Sequence, residues 1–353
     1  MKKSNKKLTS SQIAQLAGVS RSTVSRVINN YSNVPEATYN RVINIIKENN
    51  YYPHLSGQLL AGKKSKTIGF FWVKEKNCNS IAEDQLSGSY LVQVIEAAAR
   101  ANYLMLTCIV ENLVDKKNVD YISKIFMQGR IDAGIFIGVN NNEPLINELV
   151  TNGHIIGVFD YYNPKSTVYN LISVNYEQDV GNKIIEYLYN LGHRKIALIH
   201  GNPSRYSSEN RKQSFLSTLQ KYNLPIKNEW QAIGGIYEQT GYETAKEMFR
   251  KLKSQSNMPT AICATNDAVA FGVYQALQGL DIKIPQQISV TGIDGHSHNV
   301  TPALTTYAFD YYKVFNSLIT RTIAAIENKS QNLTTEFING GLIVRDSCCC
   351  VDL

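Results

Sequence analysis

The chain has 353 residues, of which 43% are hydrophobic and 18% charged, with a net charge of +7 and six cysteines. That length allows two or three domains with cores of their own. It excludes a disulfide-stapled mini-protein, and no run approaches the 18 or more apolar residues of a membrane-spanning helix. Charge is uneven. Residues 1–66 hold eleven Lys and Arg against Glu36 and Glu48, a net +9, which leaves −2 on the remaining 287 residues. A basic head on a mildly acidic body points to one end that meets a polyanion and a body with another task. The polar residues that follow Lys2 and Lys3 give no secretory leader, so the expected compartment is the cytoplasm. Cys78, Cys108, Cys263 and the run Cys348-Cys349-Cys350 lack metal-pair spacing and read as ordinary reduced thiols.

In chain order, Ile13, Leu16 and Ala17 recur at helical spacing, with Ser10 or Ser11 as the cap of a first helix. Gly18 can take the left-handed backbone that ends it, and Ser20 can cap the next. Val24, Val27 and Ile28 give that second helix its inner stripe, leaving Arg21, Ser22, Ser25 and Arg26 outward. This is a helix-turn-helix pattern. Arg21 and Ser22 fall at the helix N-terminus, where a recognition helix meets base edges in a major groove. A guanidinium there can pair with guanine through two bonds, whereas in a plain helical bundle the same arginines would only be solvated. Pro35 opens a third helix with Val42, Ile45 and Ile46 inward, and the small domain ends near residue 52. Residues 54–62 predict a short weak helix that ends at Gly62, because Gly57 inside it costs roughly 1 kcal/mol against Ala. Lys63-Lys64-Ser65-Lys66 follows as linker.

From Thr67 the pattern changes to alternating strands and helices. Strands are expected at 67–73, 103–109, 133–137 and 155–159, with helices at 91–101, 119–128 and 145–150 between them. A second series places helices at 179–191, 210–222, 241–253 and 268–280, and strands at 195–200, 261–264 and 288–292. Strands separated by helices mean parallel sheets with both faces covered. Two such series imply two lobes with a cleft between them, where ligands sit at the carboxyl ends of strands. No Gly-rich phosphate loop, nucleophile elbow or metal cluster is present to support an enzyme. His193 and His200 fall at strand boundaries and read as structural.

These segments, in this order, resemble the lactose-repressor (LacI/GalR) family of bacterial transcription regulators over essentially the whole chain. The resemblance is carried by Ala17-Gly18-Val19-Ser20 with Thr23-Val24-Ser25-Arg26-Val27, by Tyr52-Pro53 with Leu59-Leu60-Ala61-Gly62, and by Leu191-Gly192-His193-Arg194-Lys195-Ile196-Ala197. It continues through Arg211 and Phe215, Thr265-Asn266-Asp267-Ala268-Val269-Ala270-Phe271-Gly272, Ile284-Pro285, Ser289-Val290-Thr291-Gly292-Ile293-Asp294, Leu304-Thr305-Thr306 and Val344-Arg345-Asp346-Ser347. It implies an α/β fold with three parts: a three-helix headpiece (1–52), a hinge helix and linker (53–66), and a periplasmic-binding-protein-like core (67–353). Within the core, one lobe is expected at about 67–174 and 308–336, the other at about 175–307 and 337–350. The implied function is that of a homodimeric repressor of carbohydrate-utilisation genes, without a cofactor, released from a pseudo-palindromic operator in double-stranded DNA by a small sugar-like effector. A catabolite-type regulator driven by a phosphocarrier protein, or a sugar-modifying enzyme with a DNA-binding head, are the alternatives.

By the same resemblance, Arg21 and Ser22 would read bases with Arg26 close by. Thr23 and Ser25 would hold phosphates, which position without specifying, and Asn29 completes the DNA-facing set. Leu60 matches a residue that wedges between base steps in the minor groove. Effector positions fall on Asp160, Arg211, Asn266 and Asp294, with Tyr311 and Ile236 as walls; carboxylates, amide and guanidinium suit paired hydroxyls. The chain departs from the family pattern in several places. Residues 74–85 lack the usual Asn-Pro-aromatic segment, and Gly138 stands where some relatives have a polar contact. Ser214 replaces a glycine, and Gly295 follows Asp294 where a second acid is common.

Overall fold

The computed structural model describes residues 8–53, 55–60, 62–74, 85–162, 170–176, 179–252, 257–296, 300–328 and 335–351. Of residues 55, 56, 60, 85–87 and 176 it describes the backbone alone. The chain divides into two compact units, Met1–Ser65 and Lys66–Leu353.

The first unit holds α1 (Ser10–Ala17), α2 (Arg21–Ile28), α3 (Glu36–Glu48) and α4 (Leu55–Leu60). Thr9, rather than Ser10 or Ser11, is the N-cap of α1, and it forms a reciprocal capping box with Gln12. That arrangement satisfies two backbone N–H groups at the helix start. Gly18 ends α1 at φ 61°, and the Ser20 side chain accepts from the Thr23 N–H to start α2, as expected. Ile13, Ala14, Ala17, Val24, Val27, Val42 and Tyr51 form the small core. Leu16, expected inward, is 55% exposed, and Ala14 takes its place. On an eight-residue helix a stripe read from three positions is easily rotated by one residue.

The second unit contains two six-stranded sheets. The first is ordered β11-β5-β4-β3-β1-β2 and is built from β1 (Thr67–Val73), β2 (Leu104–Val110), β3 (Ala133–Ile137), β4 (Ile155–Phe159), β5 (Leu171–Tyr176) and β11 (Glu336–Ile338). The second is ordered β12-β10-β9-β8-β6-β7, from β6 (Ile196–His200), β7 (Gln231–Ile233), β8 (Ala261–Ala264), β9 (Ser289–Asp294), β10 (Thr305–Phe309) and β12 (Gly340–Ile343). All pairings are parallel except β10 with β12. Both faces of the central strands are covered, so β3, β6, β8 and β9 are buried at every position. The covering helices are α5 (Gln85–Arg100), α6 (Lys116–Met127), α7 (Pro144–Thr151) and α12 (Tyr311–Ile326) in the first lobe. In the second they are α8 (Val180–Asn190), α9 (Tyr206–Lys221), α10 (Glu238–Lys251) and α11 (Asp267–Gly279).

The chain crosses between the sheets after β5, after β10 and after β11. The first sheet therefore keeps Asn175 and Tyr176, and the third crossing follows Ile338, about two residues beyond the expected lobe limits. Strands β5, β7, β10, β11 and β12 and helix α12 were not anticipated from the sequence. Among the described residues no helix is long and apolar enough to cross a membrane.

Candidate functional site

On α2, Arg21, Ser22, Ser25 and Arg26 are exposed, with Thr23 and Asn29 half-buried beside them. Local bonds hold several of them. Arg21 Nε donates to Ser10 Oγ at 3.0 Å, and the Ser20 hydroxyl bonds those of Ser22 (2.7 Å) and Thr23 (2.9 Å). Asn29 closes α2 and its amide donates to Ser25 Oγ at 3.3 Å. This helix presents two cations and a row of hydroxyls on one face, with no acidic residue in its first turn. The backbone of Leu60 ends α4, but its side chain lies outside the described residues, as do residues 75–84 of the atypical segment.

In the core, the predicted effector residues converge where the carboxyl ends of β4, β8 and β9 face α9 and α12. Asp160 follows β4 at φ 60° and Asp294 ends β9 at φ 125°. Left-handed or strained backbone at a non-glycine costs about 1–3 kcal/mol and gathers at functional sites. Arg211, Asp294 and Tyr311 form one bonded group. Arg211 Nη2 lies 3.4 Å from Asp294 Oδ1, which also accepts from Tyr311 Oη at 2.8 Å. Arg211 Nη1 donates to the Thr265 carbonyl at 2.7 Å, and its guanidinium stands 5.8 Å from the Phe309 ring centroid. Both charged side chains are about 10% exposed or less.

Asn266 and Ile236 meet through a bond of 2.8 Å from the Asn266 amide to the Ile236 carbonyl. The Asn266 carbonyl oxygen caps α11 by accepting from the Val269 N–H at 2.8 Å. Asp160 lies instead at the N-terminus of α9. Its two oxygens accept from the Ser207 N–H (2.7 Å) and hydroxyl (2.8 Å), where the helix dipole favours a carboxylate. Burial pushes its pKa up, against the pull of Ser207 and of Arg205 and Arg211. These bonds cross the cleft, as do Arg205 Nη1 to the Val139 carbonyl (2.9 Å) and the Asn141 N–H to the Ser204 carbonyl (3.0 Å).

Several residues at this place were missed in the sequence. Tyr90 stands 4.6 Å from the Tyr311 ring and 4.8 Å from that of Phe315, extending the apolar wall. Asp267, wholly buried, accepts from Thr306 Oγ1 and the His296 N–H, both at 2.6 Å. Burial and the neighbouring Asp294 carboxylate push its pKa well up. Arg205 and Ser207 carried no signal, because the helix expected at 210–222 begins at Tyr206 with Arg205 as its N-cap. His193 donates to or accepts from Thr260 Oγ1 at 2.9 Å, and burial lowers its pKa to about 4, which suits a structural group. Gly138, at φ 83°, fits no side chain, because a Cβ would stand 2.2 Å from the Val73 carbonyl oxygen.

Two family models match the chain: "Bacterial regulatory proteins, lacI family" over residues 11–54 and "Periplasmic binding protein-like domain" over 185–348. The head thus matches the lacI family model, and the body matches a periplasmic-binding-protein-like one. A curated relative described as "Probable HTH-type transcriptional repressor ExuR", of Bacillus subtilis (strain 168), is 28% identical over 350 residues, covering 96% of this chain and 98% of the relative. The HTH-type transcriptional repressor PurR of Vibrio vulnificus is 29% identical over 342 residues, with shares of 96% and 98%. Among solved structures, the chain superposes on a lac repressor dimer bound to operator and the anti-inducer ONPF. That match has a TM-score of 0.78 at 23% identity and covers 98% of this chain and 100% of the other. A CelR–cellobiose complex gives 0.70 at 18% identity, with 96% and 99% covered. At these identities the structural matches speak for the fold.

Proposed function

We propose that this protein is a transcriptional repressor of the lacI family that binds operator DNA as a homodimer through α2 and leaves it when a small polyhydroxyl effector fills the core cleft. The single observation that carries the first half is the outward face of α2, with Arg21 and Ser22 at its N-terminus, within a head of net charge +9. Phosphate contacts from such a head supply affinity, and base contacts from Arg21 supply specificity. For the second half, the Arg211–Asp294–Tyr311 group and Asn266 offer donors and acceptors to paired hydroxyls, beside an apolar wall of Tyr90 and Phe309. Dimerisation is supported by the exposed apolar residues Val92 and Ile95 on α5 and Leu104 and Ile109 on the edge strand β2. An operator reader works where the DNA is, in the cytoplasm, and the site asks for no cofactor or catalytic step.

Genomic footprinting followed by gel shifts on the recovered site tests this reading. Arg21→Ala should lose about 1–3 kcal/mol at one base pair of each half-site, with the other positions unchanged. Equal affinity of wild type and variant for operator and random DNA would refute it. A thermal-shift screen of sugars then seeks the effector, whose binding should vanish in Asp294→Ala.

A further inference from the structure

A cavity of about 940 Å³ opens at the carboxyl ends of β1, β2 and β3 in the first lobe and of β6 and β7 in the second. Asp160, Arg211, Asn266, Asp294 and Tyr311 are not among its lining residues. It nevertheless adjoins their site. Tyr237 lines it and follows Ile236 in sequence, and Arg205 lines it two residues before Ser207, which holds Asp160. Gly138 lies on the same lining, and the Val73 carbonyl excludes any side chain there, so nothing projects from that position into the space.

The chemistry of the walls narrows the occupant. Glu111, Asp115, Glu143 and Glu243 face two cations, Lys74 and Arg205. Lys74 Nζ is held by Glu111 Oε1 at 2.8 Å, and Arg205 donates across the cleft to the Val139 carbonyl. An anionic ligand would meet, among the described lining residues, more carboxylates than cations, and both of those cations are already engaged. Ionised carboxylates only accept hydrogen bonds, so they call for a ligand rich in donors. Hydroxyl groups supply donors without needing a counter-charge, and they also accept from the amides of Asn112, Asn140 and Asn202. The volume stands at the top of the range of about 300–1,000 Å³ typical of pockets for drug-sized ligands, too large for a single sugar ring to fill.

We propose that this cavity is a second subsite of the cleft, taking the further rings of a neutral oligosaccharide whose first ring lies among Asp160, Arg211 and Asp294. The inference rests on the polyhydroxyl-effector reading above and adds the length and charge class of the ligand. Both lobes line the subsite, so each added ring touches both and biases their relative position through differential affinity.

Calorimetry on the full-length protein tests it, with cello-, xylo-, malto- and galacto-oligosaccharides of one to four rings. In one series the affinity rises at least tenfold from one ring to three. The double variant Glu111→Ala/Glu243→Ala, altered at two exposed side chains, loses that gain, and Asn140→Trp, which fills the cavity from the first lobe, loses it as well. An affinity independent of ring number overturns the subsite while leaving the effector reading intact, and so does a gain that survives in both variants. Binding of spermidine that is abolished in the double variant would make this a cation pocket and overturn the proposal. If no sugar of any length binds, the polyhydroxyl-effector reading itself falls.

Discussion

Replacing Arg211 by Met separates two roles that the cleft combines. Arg211 and Asp294 are buried together, and the wholly buried Asp267 carboxyl lies beside them. Removing the guanidinium leaves Asp294 without its cation, next to another acid. Breaking a buried pair on one side costs about 3–5 kcal/mol, most of it the penalty of the stranded charge and not the attraction itself. The lost bond from Nη1 to the Thr265 carbonyl also leaves a buried acceptor with one partner fewer. At about 2–3 °C per kcal/mol for a core of this size, differential scanning calorimetry should show the core transition fall by roughly 6–15 °C. If the stranded carboxylate is the cause, Asp294→Asn in the same chain should restore most of the loss, because the amide oxygen keeps the bond from Tyr311 without the charge. The reasoning is refuted if Arg211→Met melts within 2 °C of wild type, or if the double variant is no more stable than the single one.

Three further outcomes follow from individual positions. Ile13→Ala, at a fully buried site of the small headpiece core, should cost about 2–5 kcal/mol; gel shifts should then show operator binding lost while calorimetry shows ligand binding by the core unchanged. Gly138→Ala puts a side chain at φ 83° against the Val73 carbonyl, so urea melts should show a loss of more than about 1 kcal/mol. His193 titrates at about 4 when folded against 6.5 in an open chain, so the unfolded state binds the proton first. The stability this contributes is present above pH 6.5 and is lost as the pH falls toward 4, up to about 3 kcal/mol. The stability difference between wild type and His193→Asn should therefore change by that amount over this window, and parallel pH profiles would count against it.

The sequence was most legible where structure is local. Gly18, Ser20, Val24 and Val27 determine a turn and a helix within ten residues, and each lies where its chemistry placed it. The uninterrupted apolar runs of β1, β3 and β8 were equally plain, because a strand buried on both faces needs no partner to be recognised. Legibility fails where a feature is made by distant contacts. β7 has three residues and exists by pairing with β6, and β12 by pairing antiparallel with β10. Tyr90 belongs to the cleft only because α5 and α12 pack together there. For the effector residues, the sequence named Asp160, Arg211, Asn266 and Asp294 through resemblance. What it could not supply was their present engagement: Asp160 on Ser207, Asn266 on α11, and Arg211 on Asp294.

Those engagements suggest how ligand and lobe position are linked. A ligand hydroxyl that takes the place of the Ser207 hydroxyl at Asp160 removes one bond across the cleft and leaves those of the Ser207 N–H, Arg205, Asn141 and Tyr311. The chain passes between the lobes at three adjacent crossings, and Gly340, opposite Phe309 in the β10–β12 pair, comes so close to the Ala308 carbonyl that a Cβ would stand 2.3 Å from it. Strands packed this tightly hinge together or not at all, since close-packed structure switches between arrangements and does not deform continuously. A ligand acts on such a device only by the difference in its affinity for the two arrangements. Moving the balance from 1:99 to 99:1 needs about 5.5 kcal/mol of that difference. Exchanging one hydroxyl partner at Asp160 supplies only a fraction of this, at about 1.5–3 kcal/mol for a hydrogen bond to a charged group. The remainder has to come from contacts that a ligand makes with both lobes at once, so an effector touching Asp160 alone would bind without switching the protein.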